Sequence, residues 1–135
     1  MSTTTTPSER ITITMTGRAP VTVSRQDWPV IARGDASTWD GLHECQADRT
    51  WSATIRVRRH ADGRHLVYGC AEHASQSRRE SGYRYCAGRL LGAADTDVAA
   101  EIARLADALI ARGGRANLIV DARDEVIADL PAQAL

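Results

Sequence analysis

The fold is decided by residues 51–70, WSATIRVRRHADGRHLVYGC, which contain two strand patterns on either side of a turn. The first pattern covers residues 51–60 and the second covers residues 65–70. Asp-Gly between two such patterns is the strongest short-range hairpin signal, because a two-residue type I′ turn requires positive φ at both loop positions. We therefore predict a β-hairpin whose two loop residues are Asp62 and Gly63.

This loop determines which residues of the two strands lie opposite each other. It predicts three cross-strand pairs: Arg59 with Leu66, Val57 with Tyr68, and Ile55 with Cys70. One face of the hairpin is then apolar and contains Trp51, Ala53, Ile55, Val57, Leu66, Tyr68 and Cys70. The other face is polar and contains Ser52, Thr54, Arg56, Arg58, His60 and His65.

The polar face and the turn carry an arginine-rich patch, which consists of Arg56, Arg58, Arg59, Arg64, His60 and His65. Guanidinium groups make paired contacts with carboxylates and phosphates, so the patch suits an acidic protein surface or a phosphate backbone. Trp39, in the loop before the hairpin, adds an anchor, because tryptophan and arginine often dominate interface energies. We predict these seven residues as a partner-binding surface. The alternative is a solvated sheet face, which carries charge routinely.

The segment before this hairpin predicts a second, shorter hairpin. Apolar residues and threonines alternate strictly over residues 11–16, and a return strand is indicated at residues 21–23. A short helix is predicted from Ser24, an N-cap with an acidic residue three positions later, to Gly34. Its apolar stripe at i, i+3 and i+4 consists of Trp28, Ile31 and Ala32. Residues 35–50 are polar and are predicted as a long surface loop.

The segment after the central hairpin predicts a strand followed by a helix. Residues 74–82 are polar and loop-like, and residues 83–90 alternate as a strand whose orientation neither set decides. Asp95 and Thr96 offer N-caps for a helix over residues 95–112. Its apolar stripe consists of Val98, Ile102, Leu105 and Leu109.

The last elements and the domain limits complete the predicted fold. Residues 117–120 suit either a short strand or the entry to a helix, with Asp121 as an N-cap and Pro131 as the stop. Residues 1–9 predict a disordered tail, and residues 10–135 a single domain. The class is α+β, an antiparallel sheet of four or five strands built from hairpins with helices packed on one face.

Composition and charge disfavour several kinds of protein. All 17 basic residues are arginine and 17 acidic residues balance them, which makes the net charge zero. Residues 1–92 hold 13 arginines and nine acids, whereas residues 93–135 hold four arginines and eight acids. A nonspecific nucleic-acid binder needs a basic surplus, so nucleic acid is not favoured as the partner. The sequence has neither a membrane-span pattern nor a secretory-signal pattern, so we expect a cytoplasmic protein without membrane contact.

The cysteines offer two interpretations. Cys45, Cys70 and Cys86 are odd in number, which agrees with a reducing compartment, and we expect three unlinked thiols and no cofactor. The alternative is a zinc site drawn from Cys45, Cys70, His73 and Cys86, with His43 as a further ligand. This set lacks the two close ligand pairs typical of structural zinc sites, and the predicted register places Cys70 on the apolar face.

No residue pattern indicates an active site. Neither Cys45 nor Cys86 lies in a nucleophile signature, and the closely spaced acids of residues 121–129 are typical of a solvated face. Gly113 and Gly114 end a helix instead of opening one, so they lack the amide groups that hold a phosphate. We predict that the chain is not an enzyme.

Three segments carry a resemblance: residues 11–34, ITITMTGRAPVTVSRQDWPVIARG, residues 59–68, RHADGRHLVY, and residues 124–135, DEVIADLPAQAL. They resemble small uncharacterised accessory proteins of phages, plasmids and integrative elements in GC-rich proteobacteria. The resemblance covers the two ends and the hairpin but not the loops with cysteine and histidine. It implies a context in which small inhibitors and regulators bind host proteins, anti-CRISPR and anti-restriction proteins among them, and it assigns no site residue.

We therefore predict a non-enzymatic protein-binding regulator or inhibitor of mobile-element origin, with counter-defence as one example. Its partner is a host protein, bound through the arginine-rich patch. The alternative is a zinc-stabilised nucleic-acid-binding regulator that uses the cysteine and histidine ligands. A homodimer, formed by attraction between the basic and acidic parts of the chain, is left open.

Overall fold

The computed structural model describes four stretches of the chain, residues 9–38, 50–74, 83–94 and 97–131. The elements in chain order are β1 Arg10–Ile13, β2 Val21–Ser24, β3 Val30–Ser37, β4 Thr50–Arg59, β5 His65–Ala74, β6 Tyr83–Leu91, α1 Val98–Ala111 and α2 Ala116–Asp129. β1 and β2 form a two-stranded antiparallel sheet, and β3 to β6 form a four-stranded antiparallel sheet in sequential order. Both helices pack on one face of the larger sheet, which confirms the predicted α+β class.

The main core lies between the two helices and the four-stranded sheet. Its fully buried side chains include Ile55, Val57, Val67, Ile102, Leu109, Ile119 and Val126. α1 begins after Asp97, whose Oδ1 accepts a hydrogen bond from the Ala100 amide at 3.0 Å. The predicted caps Asp95 and Thr96 lie outside the described residues.

α2 resolves the ambiguity at residues 117–120, because they are helical. The helix begins at Ala116, so Asp121 lies within it and the predicted N-cap at that residue is wrong. Its buried positions recur with helical spacing and are Leu118, Ile119, Ala122 and Val126. The helix ends at Asp129, just before Pro131, as the sequence predicted.

β3 occupies most of the segment that was predicted as a short helix, so that prediction is wrong. Val30–Ser37 pairs with β4, and Ala32 lies opposite Val57. The i, i+3, i+4 pattern misled because the buried residues also follow a two-residue period once the sheet is formed. Gly34 serves a close approach instead of ending a helix, since a Cβ there would overlap the carbonyl group of Ala122 in α2.

The central hairpin forms where it was predicted, but its register differs by one residue. Val57 pairs with Val67, and His60 is joined to Arg64 by a backbone hydrogen bond of 2.9 Å. The loop therefore has three residues, and Gly63 is its one position with positive φ, at 97°. A three-residue loop with a left-handed glycine replaces the two-residue type I′ turn, because Asp62 keeps a negative φ.

The shifted register moves three of the seven residues of the predicted apolar face to the other side of the sheet. Leu66 and Tyr68 now face away from the helices and pack with the β1–β2 hairpin. This second cluster also contains Ile13, Met15 and Trp28, which are nearly inaccessible to solvent. The sheet is therefore covered on both faces, by helices on one and in part by a hairpin on the other.

Some predictions fall on parts of the chain that the structure does not describe. Of the predicted tail, only Glu9 is described, and its carbonyl oxygen accepts a hydrogen bond from the Arg25 amide at 2.9 Å. The predicted loop of residues 35–50 is shorter than expected, because β3 extends to Ser37 and β4 begins at Thr50. Residues 39–49 lie outside the described residues. Among the described residues, neither helix is long and apolar enough to span a membrane.

Candidate functional site

Arg58 of the predicted patch is buried, with 8% of its surface exposed. Its Nε donates a hydrogen bond to the Tyr68 hydroxyl group at 2.8 Å, and its Nη1 donates to the Trp28 carbonyl oxygen at 2.8 Å. These bonds satisfy a guanidinium group that would otherwise be costly to bury. The predicted exposure of Arg58 is therefore wrong, and the residue joins the sheet to the segment that precedes β3.

Arg56 is half-buried on the same face. Its Nη1 lies 2.9 Å from Oδ1 of Asp35 and also donates to the Ile55 carbonyl oxygen at 3.2 Å. The strand pairing places Tyr68 directly opposite Arg56. The side chain is thus engaged in contacts within the sheet, and the arginines of the predicted partner-binding patch do not form an open array.

The hairpin tip holds His60 and Arg64 against Trp28. The His60 ring centroid lies 5.0 Å from that of Trp28, and the Arg64 guanidinium carbon lies 5.1 Å from the same indole. Asp62 orders the tip, because it accepts hydrogen bonds from the Arg64 amide at 3.0 Å and from Arg64 Nε at 2.7 Å. The backbone amide of Arg64 is the main reason that the pKa of Asp62 is lowered, and the Arg64 side chain adds to the effect.

Arg59 and His65 lie opposite each other on the helix side of the sheet, so the predicted patch is divided between two faces. Burial lowers the pKa of His65, and the charge of Arg59 lowers it further. Within the described residues, His65 Nδ1 is buried without a hydrogen-bond partner. Arg59 is exposed at the end of β4. Trp39, the remaining predicted contact residue, lies outside the described part of the chain.

An apolar groove lies between the β1–β2 hairpin and the end of the larger sheet. We call it the β1–β2 groove, and it encloses about 510 Å³. Its apolar walls are formed by Met15, Val21, Val23, Trp28, Leu66 and Leu90. Leu90 is 52% exposed, in contrast to Met15, Trp28 and Leu66, which are almost completely covered. The groove therefore has a buried floor and one large apolar side chain open to solvent.

Gly88 allows the hairpin to approach the sheet closely at this groove. A Cβ at this position would lie 2.7 Å from the Tyr68 Cβ and 2.9 Å from Met15 Cε. Both distances are shorter than van der Waals contact, so a larger residue would require β5 or the Met15 side chain to shift. Gly88 therefore leaves room for Met15 against the sheet.

The charged residues beside the groove are basic. Arg18 and Arg89 line it, and no acidic side chain is among its described lining residues. Arg89 is 59% exposed and contacts Glu101 of α1 at 3.0 Å, and Glu101 is bound from its other side by Arg104 at 3.2 Å. Arg89 lies opposite Val67 on the helix side of the sheet, and Glu101 compensates its charge there, so Arg18 is the unpaired basic side chain among the described lining residues.

Thr16 joins the end of the β1 segment to the outer edge of β6. Its amide donates to the Cys86 carbonyl oxygen at 2.8 Å, and its Oγ1 accepts from the Cys86 amide at 2.9 Å. These two bonds, which we call the Thr16–Cys86 clasp, use both backbone groups of Cys86. They fix the β1–β2 hairpin beside the groove.

Cys70 and Cys86 form a disulfide between β5 and β6. They are direct cross-strand partners, with Cα atoms 4.1 Å apart. The expectation of three unlinked thiols is therefore wrong for this pair. The odd number of cysteines misled because it excludes only complete pairing, and the predicted register had placed Cys70 on the helix side, whereas it lies with Cys86 on the other face.

The zinc alternative requires the reduced form of this pair, because a disulfide sulfur is not a thiolate ligand. His73 is engaged elsewhere, with its ring stacked on Trp51 at a centroid distance of 4.3 Å. The predicted ligands Cys45 and His43 are outside the described residues. In the part of the chain that is described, no group of three or more potential ligands is arranged to hold a metal ion.

A second aromatic cluster lies at the opposite end of the sheet, on the helix side. Trp51 lies 6.4 Å from Tyr83, and the Arg115 guanidinium carbon is 5.7 Å from the Trp51 indole. Burial raises the pKa of Tyr83, whose hydroxyl group donates to the Arg112 carbonyl oxygen. This cluster joins β4, β6 and the start of α2, so its contacts are made within the fold.

The sequence reasoning missed the β1–β2 groove because it treated the two hairpins separately. The alternation of apolar residues and threonines at residues 11–16 could have indicated it. The apolar side of this segment must pack on another surface, and the helices do not supply that surface. Comparison of the chain with protein-family models, with curated proteins and with solved structures finds no match.

Proposed function

We propose that this chain is a non-enzymatic protein-binding regulator or inhibitor of mobile-element origin, which binds a host protein through the β1–β2 groove. The observation that carries the proposal is the exposure of Leu90 at an apolar groove with a basic rim. Burial of a leucine side chain contributes about 1.5–3 kcal/mol, so a partner gains from covering this residue.

The surroundings of Leu90 support a protein partner. Trp28 forms part of the groove floor, and Arg18 extends from the rim. An apolar centre with a charged rim is the usual composition of a protein–protein interface, and here Leu90 provides the exposed apolar centre. A nucleic acid would instead need a broad basic surface, and the chain as a whole has no net charge.

The hairpin tip is the second candidate contact surface and keeps part of the predicted patch. Arg59 and His60 line a shallow depression of about 490 Å³ together with Pro29 and Ile31. Arg59 is the exposed arginine there, whereas Arg58 beside it is buried. Substitution of Arg59 therefore tests this surface without removing a buried ion.

The two surfaces are separated by affinity capture from a lysate of a GC-rich proteobacterium. The baits are the wild-type protein, Leu90→Asp, Arg59→Glu and Ala128→Asp. Ala128 is exposed on α2, on the other side of the sheet from the groove, and provides a control for the added charge. Circular dichroism confirms that each bait is folded.

We expect a partner that wild type and Ala128→Asp retain equally and that Leu90→Asp retains at least about tenfold less, because a carboxylate would be desolvated in the interface. Equal capture by all four baits would contradict both surfaces. Loss with Arg59→Glu but not with Leu90→Asp would assign binding to the hairpin tip.

A further inference from the structure

β6 is an outer strand of the four-stranded sheet, and the Thr16–Cys86 clasp reveals how its backbone is oriented. Both the amide and the carbonyl oxygen of Cys86 bind Thr16, so both point away from β5. In an antiparallel ladder the two backbone groups of a residue point to the same side, and that side alternates along the strand. The backbone groups of Gly88 and Leu90 therefore also point outward.

These outward groups form a short open edge beside the β1–β2 groove. Among the described residues, no backbone hydrogen bond reaches the outward groups of Gly88 or Leu90. Both residues also line the groove, so a chain placed along this edge would project side chains into it. An open strand edge next to an apolar groove is the arrangement that binds extended peptides by strand addition.

From this geometry, and on the basis of the proposed function, we infer that the partner contributes an extended segment that adds to β6 at residues 88–90 and inserts an apolar side chain into the groove. The segment is acidic. Arg18 lines the groove, Arg84 is exposed on the same face of β6 beyond Cys86, and β6 itself contains no acidic residue. Opposite charge on the added strand is favourable, whereas like charge is repulsive.

The same charges argue against a second copy of this chain as the occupant. Pairing of β6 with β6 of another copy would bring two sets of these arginines into one interface without a carboxylate on either strand. Such juxtaposition of like charges disfavours association. The inferred occupant is therefore an acidic extended segment of a different protein.

The test uses a random peptide library displayed on phage and selected against the intact wild-type protein. We expect enriched sequences that alternate apolar with acidic residues. Synthetic copies of the best peptide, N-methylated at one position at a time, then report on the backbone contacts. Methylation should weaken binding about tenfold at alternate positions and have no effect between them, because only every second amide of an added strand faces β6.

Variants of Leu90 separate strand addition from groove binding. Leu90→Pro removes an outward amide that β5 does not use, and proline is tolerated at such positions of edge strands. Because it also removes the leucine side chain, Leu90→Ala is the matched control, which keeps the amide. We expect Leu90→Pro to bind the peptide about tenfold more weakly than Leu90→Ala, with little change in the melting temperature. Leu90→Asp should also abolish binding, through the groove.

Several results would overturn the inference while leaving the proposed groove function intact. These are equal peptide binding by Leu90→Pro and Leu90→Ala, equal effects of methylation at all positions, or enrichment of basic or helical peptides. A concentration-dependent dimer in light scattering that Leu90→Pro dissociates would assign the edge to a second copy and would also overturn it.

Discussion

The four-stranded sheet has two edges, and the chain covers them differently. At β3, the outward amide of Arg33 donates to Oδ2 of Asp129 at 2.9 Å, and Gly34 lies against the backbone of α2. At β6, the Thr16–Cys86 clasp covers a single residue, and among the described residues no hydrogen bond uses the outward backbone groups of Gly88 or Leu90. An unpaired edge invites association with another chain. The difference is that α2 packs closely on β3 at Gly34, whereas the exposed Leu90 stands at the edge formed by β6.

The packing of α2 on β3 should be the most sensitive to added volume. Gly34→Ala places a methyl group where the Ala122 carbonyl lies, so we expect the free energy of unfolding to fall by about 3 kcal/mol. Gly92→Ala, just after β6, is the control, because nothing lies within 4 Å of its added Cβ. Its effect should stay within about 0.5 kcal/mol. Urea unfolding measures both, and equal effects would contradict the close approach of α2 to β3.

The disulfide should hold the open edge strand in the sheet. It closes a loop with a sequence separation of 16 residues, for which the loss of loop entropy in the unfolded chain predicts about 3 kcal/mol of stabilisation. Dithiothreitol should lower the free energy of unfolding of wild type and of Cys45→Ser by about this amount. A Cys70→Ala, Cys86→Ala double variant should not respond. A response that survives in the double variant would contradict the assigned pair.

Adjacent arginines on β4 should differ sharply in their contribution to stability. Arg58→Met leaves the Trp28 carbonyl oxygen and the Tyr68 hydroxyl group without their donor, and we expect a loss of about 2–3 kcal/mol. Arg59→Met changes an exposed residue and should cost less than about 0.5 kcal/mol. Thermal and urea unfolding of the two variants provide the comparison. Similar losses of stability in the two variants would contradict the burial of Arg58.

The smallest expected effect is the pH dependence from His65, which lies opposite Leu91 at the end of β6. Its pKa in the folded state is below the ordinary value of 6.5, so the unfolded chain binds the proton more readily. Stability should therefore decrease as the pH falls through 6.5 towards the folded-state pKa. His65→Gln should reduce this decrease in urea titrations between pH 8 and pH 5, a range chosen to bracket the histidine titration. An unchanged pH profile would contradict the assignment.

The sequence predicted the elements that have strong local signals. It failed where contacts with residues distant in the chain determine the secondary structure. The hairpins, the strand at β6 and the helix α1 follow from alternation and from the 3.6-residue period, which are local properties. β3 was misread because Trp28, Ile31 and Ala32 fit a helix until β4 and α2 are placed beside them. The one-residue shift arose from the choice between two loop lengths, which Asp-Gly alone does not decide.

The candidate site was harder to predict than the fold, because it depends on which face each residue occupies. A shift of one residue moves every side chain of a strand to the other face. The predicted register was wrong by one residue and therefore concealed the contact of Leu66 with the β1–β2 hairpin and the alignment of Cys70 with Cys86. The burial of Arg58 was equally hidden, since its partner at Trp28 belongs to a segment that was predicted as helical.

The Thr16–Cys86 clasp also limits how far any ladder can extend along β6. A strand that adds at residues 88–90 meets Thr16 at Cys86, where the outward donor and acceptor are already used. The added strand can therefore form only a few backbone bonds in one direction before it is stopped. An edge of this length is too short to template repeated stacking of chains, so the chain can keep an accessible strand without the fibre-forming tendency of a long, flat edge.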